Sequence, residues 1–290
     1  MISKLCRLTA IVVALAAIFS TDTQAQKKGD PIFVAPLGVQ AYSFRNYFPK
    51  DFVGTLDRVK AFGFTEMEGG GGRIPADEYR RLCEERGIKV VSTGAGFDQL
   101  EKDPQAIAET AKQLGSKFVM CAWVPHERGK FSMADAQKAV AVFNKAGKVL
   151  KENGLTLCYH AHGYEFQPWK GKKTLLDYII QNTDPNYVSY QMDIFWIQFG
   201  GGDPVKLLKK YGDRWQLMHL KDMRKGIAKD LTGGTDVNND VPLGTGQIDI
   251  AGVLKMGRKI GIKHYFIEDE SDTVMDQVPQ SIAYLKSLKY

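Results

Sequence analysis

Gly154-Leu155-Thr156-Leu157-Cys158-Tyr159-His160-Ala161-His162-Gly163-Tyr164-Glu165-Phe166 holds, in order, a glycine able to close a helix, a β-rich apolar run, and polar donors at the end of that run. The segment before it, Ser132 to Asn153, has helical spacing and a charged face. Helix, glycine and strand make one unit, and the unit recurs. β-Rich runs occur at Gly38 to Tyr42, Phe64 to Glu68, Lys89 to Thr93, Lys117 to Cys121, Leu155 to His160, Val188 to Asp193, Gln216 to Leu220 and His264 to Glu268. Between them lie helical stretches such as Asp77 to Arg86, Asp103 to Leu114, Thr174 to Gln181, Pro204 to Tyr211 and Ile248 to Ile260. Gly63, Gly87, Gly115, Gly154 and Gly261 stand where helix C-terminal caps lead into the next strand. Strand–helix alternation predicts a parallel sheet. Eight units in about 250 residues predict an α/β fold of the (β/α)8 TIM barrel type. A doubly wound open sheet is the competitor, but Tyr42-Ser43-Phe44-Arg45 in the first strand–helix turn lacks the glycine fingerprint usual there.

The chain opens with Lys4 and Arg7, an apolar run from Leu8 to Phe19, and Thr23-Gln24-Ala25. This pattern predicts a cleavable signal peptide over residues 1–25, with cleavage after Ala25 and a periplasmic or secreted product. Cys6 lies ahead of the apolar run, out of place for lipidation at a cleavage site. The run is shorter than the roughly 20 residues a membrane span needs, and no later run is longer, so no membrane insertion is expected after cleavage. Residues 26–36 form a lead-in, and residues 37–290 carry the barrel without a linker or compositional break. Cys83, Cys121 and Cys158 remain after cleavage, an odd number in apolar contexts that predicts buried thiols. The formal charge of +6 falls by one unit as Lys4, Arg7 and Asp22 depart. The remaining basic residues are dispersed, which gives no nucleic-acid footprint.

In such a barrel, active-site groups come from the carboxyl ends of several strands. His160, Asp193, His219 and Glu268 each end one of the predicted runs, and three of the five histidines, His160, His162 and His219, fall at strand ends. A mixed imidazole and carboxylate set suits a divalent ion such as Mn²⁺, Co²⁺, Fe²⁺, Ni²⁺ or Zn²⁺ better than Ca²⁺.

Six segments make the likeness specific: Gly38-Val39-Gln40-Ala41-Tyr42-Ser43, Gly63-Phe64-Thr65-Glu66-Met67-Glu68, Tyr159-His160-Ala161-His162, Met192-Asp193-Ile194-Phe195-Trp196, Met218-His219-Leu220-Lys221-Asp222 and Phe266-Ile267-Glu268. In order and spacing they resemble the sugar phosphate isomerase/epimerase group of xylose isomerase-like TIM barrels, over essentially Leu37 to the C-terminus. The resemblance implies one metal ligand from each of strands five to eight, here His160, Asp193, His219 and Glu268. It also implies a carbohydrate substrate activated next to a carbonyl, with Glu268 in a catalytic as well as a ligating role. Ketose epimerases usually carry Glu at the strand-five position, where two metal-bound glutamates act as opposed acid and base. This chain has His160 there and so resembles the inosose dehydratase branch and the lyases of 3-keto-glycosides.

Both reaction types begin with loss of the α-proton to a base and stabilisation of an enolate. Reprotonation gives isomerisation or epimerisation, and loss of a β-oxygen substituent gives elimination. His162 is a candidate catalytic group, as a proton shuttle, a substrate contact or a donor behind the metal ligands; a histidine bonded to backbone is the alternative. Lys221 shares the extended face of His219 and is the third catalytic candidate, with an ion pair to Asp222 or to a loop carboxylate as the alternative. Glu68, Trp123, Glu165 and Trp196 are the substrate-binding candidates; Glu165 could also orient a metal-bound imidazole, and Tyr42, Phe44 and Phe195 are further wall aromatics. Gly69 to Gly72 reads as a loop, since no Lys-Ser or Lys-Thr follows to make a phosphate cradle. Asp230 to Asp240 is a long polar loop placed to cover the pocket.

Two other functions compete with this reading. An abasic-site endonuclease of the same superfamily would need three metals and more histidines than Thr93 to Gly96 and Cys121 to Trp123 supply. A non-catalytic sugar-binding barrel is the remaining reading. The expected partner is a small carbohydrate, with no nucleic acid; a homo-oligomer is compatible with the sequence.

Overall fold

A computed structural model describes residues 27–290, so the expected leader lies outside the described residues. Eight parallel strands close into a barrel: β1 (Leu37–Gln40), β2 (Glu66–Glu68), β3 (Lys89–Gly94), β4 (Phe118–Cys121), β5 (Thr156–His160), β6 (Val188–Asp193), β7 (Trp215–Leu220) and β10 (His264–Ile267). A short antiparallel pair, β8 (Asp222–Met223) and β9 (Asp240–Val241), projects from the end of β7. Closure between β1 and β10 removes the open edges that a doubly wound sheet would keep.

The outer layer contains α1 (Phe52–Ala61), α2 (Ala76–Glu84), α3 (Phe97–Lys102), α4 (Pro104–Leu114), α5 (Met133–Glu152), α6 (Leu175–Asn182), α7 (Ile194–Phe199), α8 (Pro204–Tyr211), α9 (Ile250–Ile260) and α10 (Val274–Ser287). The segments singled out from helical spacing did not include α1 or α10, which carry Gly54 and Pro279 within them; packing onto the barrel overrides those weak formers. The five cap glycines behave alike, and Gly154 is representative: φ is +76°, and the next residue returns its N–H to the carbonyl five positions back, Leu155 to Leu150. A side chain resists that left-handed turn, so glycine ends the helix and aims the chain into β5. Residues of the lead-in run beside the C-terminus, with Ile32 bonded to Leu288 and Tyr290 to Asp30. Cys83, Cys121 and Cys158 are buried free thiols. No helix among the described residues is long and apolar enough to cross a membrane.

Inside the barrel, Val91, Cys158, Leu217 and Phe266 form a small apolar floor. A barrel layer ordinarily draws four side chains from alternate strands. Here β3, β5 and β7 contribute three, and the Phe266 ring from β10 takes the seat β1 would fill. Gly38 makes this room, because a Cβ there would lie 2.7 Å from the Phe266 ring and 2.5 Å from Tyr265 O. Two residues further along the same strands stand His160, His219 and Glu268, so strand periodicity lifts the donors onto this floor.

Candidate active site

His160, Asp193 and His219 each offer a ligand atom, and all three atoms lie within 4.8 Å of one another. Glu268 completes a contiguous set: His160 Nε2 is 3.8 Å from Asp193 Oδ2, which is 3.6 Å from His219 Nδ1, which in turn is 3.2 Å from Glu268 Oε2. Donors held at about 2.1 Å around one tetrahedral ion would be separated by about 3.4 Å, so these spacings fit a divalent ion. Asp193 supplies a further sign. Its Oδ1 accepts from Trp196 N (2.9 Å) and caps α7, whereas Oδ2 is buried without a hydrogen-bond partner and faces the cluster.

Glu68 sets the polarity of both imidazoles. It accepts from Gln40 Nε2 (2.7 Å), from Gln191 Nε2 (2.9 and 3.1 Å) and from His219 Nε2 (2.5 Å). With its amide nitrogen committed to Glu68, Gln191 turns its oxygen to His160 Nδ1 at 2.8 Å. Each histidine therefore presents its other nitrogen, Nε2 of His160 and Nδ1 of His219, as a lone pair to the common centre. Burial would raise the Glu68 carboxyl, but the His219 charge and the hydrogen bonds hold it below the ordinary range. Burial likewise opposes charge on His219, yet Glu268 and Glu68 drive that imidazole well above its usual value. A cation on Nδ1 is the other way to supply the positive charge these carboxylates demand, which is a second reason the donor set fits a metal.

Glu68 thus differs from its expected role as a substrate contact. It is fully buried beneath the donors, bonded to Gln40, Gln191 and His219, and does not line the cavity. Glu165 also departs from expectation: it is fully buried, accepts from Tyr159 Oη and from His162 N (3.1 Å), and touches neither imidazole ligand nor cavity. Burial pushes its carboxyl up to about 7 against the Tyr159 bond. Its role is to hold the turn that carries His162.

The cavity at the barrel mouth measures about 920 Å³ and is lined by His160, His162, Trp196, His219, Lys221 and Glu268, among others. His162 stacks on Trp196, with ring centroids 5.0 Å apart, and meets Trp123 edge-on at 5.6 Å. Its Nδ1 has no hydrogen-bond partner, and burial with the neighbouring His160 depresses its pKa well below the usual value. The Nδ1 of this ring is therefore not bonded to backbone, as the alternative reading had it. Trp123 stands at the rim, where Gly233 of the loop between β8 and β9 packs against it and Tyr164. That loop brings Gly233, Gly234, Thr235 and Val237 onto the cavity wall.

Lys221 is buried among Glu268 (3.5 Å), Asp240 (3.5 Å) and Glu270, with Trp196 5.2 Å from its Nζ. Burial opposes its charge, but those carboxylates raise its pKa well above normal, so it stays an ammonium donor. Asp222 is not its partner. Alternation sends that carboxylate to the opposite side, where it accepts from the N–H groups of Met223, Gly244, Gly246 and Ile248 and fixes the segment after β9. Of Phe44, Phe195 and Tyr42, the first two are fully buried core; Tyr42 lines the cavity. The other histidines lie elsewhere: His126 packs on Trp123 and Tyr164, and His264 bonds Glu66 at the far end of the barrel.

Four residues of the site escaped the reading of strand ends: Gln40, Gln191, Asp240 and Glu270. Gln191 and Glu270 were within reach, since each is two positions from a named donor, Asp193 or Glu268, and shares its face. Asp240 arrives from β9, seventeen or more residues along a loop, and carries no such signal.

The family model for the xylose isomerase-like TIM barrel matches residues 56–288. The chain belongs to this family. Among curated relatives, an inosose dehydratase from Geobacillus kaustophilus is 32% identical over 198 residues, covering 59% of this chain and 62% of the relative, so the chain spans less than two thirds of that protein's length. A sugar phosphate isomerase/epimerase from Parabacteroides distasonis superposes with a TM-score of 0.74 at 24% identity, covering 88% of this chain and 99% of that one. The IolI protein with a bound zinc atom superposes with a TM-score of 0.68 at 15% identity, covering 87% and 95%. These solved structures share the fold. The family model sets the membership, and at the barrel mouth His160, Asp193 and His219, with Glu268 beside them, could hold a divalent metal.

Proposed function

We propose that the chain is a divalent-metal-dependent lyase or dehydratase acting on a keto-sugar, most specifically one that cleaves a 3-keto-glycoside. The observation that carries this reading is a four-donor cluster with His160 at the strand-five position, where a two-glutamate epimerase would keep one of its opposed carboxylates, and with the His162 imidazole beside it in the cavity. The dehydratase named among the relatives agrees with it. His160, Asp193, His219 and Glu268 would hold the ion, and when bound it supplies Lewis-acid polarisation of a substrate carbonyl.

The chain's own residues do the rest. The His162 imidazole, which lines the cavity, removes the proton on the carbon beside the carbonyl, and the C–H pair moves into an enolate. Lys221 Nζ donates a hydrogen bond to a substrate oxygen and keeps positive charge beside the developing anion. The enolate pair then returns, the carbon–oxygen bond to the β-substituent breaks, and the departing oxygen takes the proton carried by His162. The products are an unsaturated keto-sugar and an alcohol. Trp196 supports the ring of His162 and presents an apolar face to the sugar. The leader over residues 1–25 supports export, and outside the inner membrane a free keto-sugar or glycoside is a more available substrate than a sugar phosphate.

The test is incubation of metal-loaded protein with keto-sugars and 3-keto-glycosides in D₂O. Release of the aglycone is the expected result. Deuterium at the α-carbon with no release favours an isomerase or epimerase working through an enediolate, and sugar binding by metal-free protein with neither reaction favours a non-catalytic barrel. His160→Ala and Glu268→Gln should each abolish turnover while retaining the fold; activity in both would sink the ligand assignment.

A further inference from the structure

The donor cluster leaves one sequence feature without a role, the four glycines Gly69–Gly72 directly after Glu68. They separate two cavities. One is the 920 Å³ cavity of the donors; the other, about 730 Å³, opens on the far side toward α1 and α2. Gln40, Tyr42, Ile74 and all four glycines line both, so the cavities share a wall. The wall is bare backbone, and at two points it must be. A Cβ on Gly69, whose φ is +120°, would lie 2.9 Å from the Ala41 Cβ, and one on Gly71 would lie 2.8 Å from the Tyr79 ring. Glycine at these two points lets Ala41 and Tyr79 pack against the segment, and Gly69–Gly72 put no side chain into either cavity.

The two ends of this cleft differ in chemistry. Asp240, Glu268 and Glu270 line the donor end. The second cavity has two arginines, Arg45 and Arg73, and no carboxylate. Its apolar wall is aromatic: Phe48 and Phe52 have ring centroids 5.1 Å apart, and Phe52 and Tyr79 5.8 Å. Tyr42, at the junction, is 52% exposed despite its size, and the Arg45 guanidinium lies 4.7 Å from its ring centroid. Arg45 is itself fixed by donation to Glu270 O (2.7 Å), which ties this cavity to the strand end bearing Glu268. Aromatic walls with guanidinium groups and no acid select a planar, anionic group, and the volume lies within the range of small-ligand sites, about 300–1,000 Å³.

We infer that the cavity of Arg45, Phe48, Phe52 and Arg73 is a second subsite of the catalytic cleft and receives an aromatic carboxylate borne on the leaving group. The inference rests on the elimination reading for the identity of that group. The substrate class it names is the keto-glycoside of a hydroxylated aromatic acid, with the sugar at the donor cluster and the aryl ring beyond Gly69–Gly72.

Binding of 4-hydroxybenzoate, measured by calorimetry on the full-length mature protein, tests the subsite without turnover. The expected result is saturable binding that survives His160→Ala and weakens about tenfold or more in Arg73→Ala, the loss of one charge-assisted contact. Arg73 is exposed, so its truncation spares the core; Phe52→Leu is the second variant and should weaken the phenol and the acid alike. Equal affinity in wild type and both variants, or no binding, overturns the subsite. A parallel measurement compares cleavage of 4-carboxyphenyl and phenyl 3-keto-glucosides. Arg73→Ala should lower the ratio of their kcat/KM values about tenfold. Cleavage of both with an unchanged ratio overturns the subsite and leaves the lyase; Arg73-dependent binding with no cleavage of any keto-glycoside supports the subsite and overturns the lyase.

Discussion

Replacing Gln191 with Leu tests the logic of the donor cluster without touching a ligand. In the folded chain the Gln191 amide accepts from His160 Nδ1 at 2.8 Å and donates to Glu68 at 2.9 and 3.1 Å. Leucine removes the acceptor that fixes the His160 tautomer and two of the hydrogen bonds that hold the Glu68 carboxylate. Loss of a partner behind a metal-bound histidine typically costs 10–100-fold in affinity, about 1.4–2.7 kcal/mol. Glu68 keeps Gln40 and His219, so it is weakened and not orphaned, and hydrogen bonds to a charged group are worth about 1.5–3 kcal/mol. With leucine's apolar contacts offsetting part of that, a stability loss of about 2 kcal/mol and a fall in Tm of about 5 °C are expected. Competition for Zn²⁺ against a fluorescent chelator, with far-UV circular dichroism as a check on the fold, reads the first quantity. A folded variant whose Zn²⁺ affinity lies within about twofold of wild type would refute the reasoning, because a tenfold change is the least that tautomer control allows.

Three further outcomes follow from other parts of the molecule. Glu165 has its carboxyl raised by burial to about 7 from an ordinary 4.5, so the stability it contributes is full below the ordinary value and is lost as pH rises through about 7; Glu165→Gln should therefore gain on wild type across that window by about 3 kcal/mol, and parallel denaturation curves at pH 5 and 8 would contradict it. Asp177 caps α6 and bonds Lys210 (2.5 Å) and Tyr211, contacts that hold its carboxyl below the ordinary range although burial opposes them; its contribution is present above the ordinary carboxylate value and lost as pH falls through the depressed one, so Asp177→Asn should cost about 1 kcal/mol at neutral pH and converge with wild type in acid. Gly38→Ala drives a methyl against Tyr265 O and the Phe266 ring, and should destabilise by about 2 kcal/mol in urea denaturation; an unchanged midpoint would show that Phe266 does not need that seat.

Much of the barrel was legible in the chain because the interactions that build it are local. Every predicted β-run overlaps a barrel strand, and the glycines after five helices adopt the left-handed turn expected of them. The polar ends of β5, β6, β7 and β10 could be read as converging because parallel strands in a closed barrel deliver their carboxyl ends to one face. Glu68 was misjudged for a physical reason. It ends β2 much as Glu268 follows β10, and the sequence holds nothing to say that one carboxylate stands under the imidazoles and the other among them.

The sequence by itself determined the period of the strands, the places where helices stop, and the residue types available at each strand end, all properties of neighbours within a few positions. Tertiary structure alone decided what those residues do. The Gln40, Gln191 and His219 bonds to Glu68 span 28, 123 and 151 positions, and Asp240 reaches Lys221 only because β9 pairs with β8. Tautomers, buried charge and the partition of one cleft by four glycines depend on barrel closure, which brings the two ends of the chain's strand order into contact. The Tyr159-His160-Ala161-His162 pair shows both levels: alternation put two imidazoles at one strand end, and the closed barrel gave the first to the donor cluster and left the second with a free nitrogen.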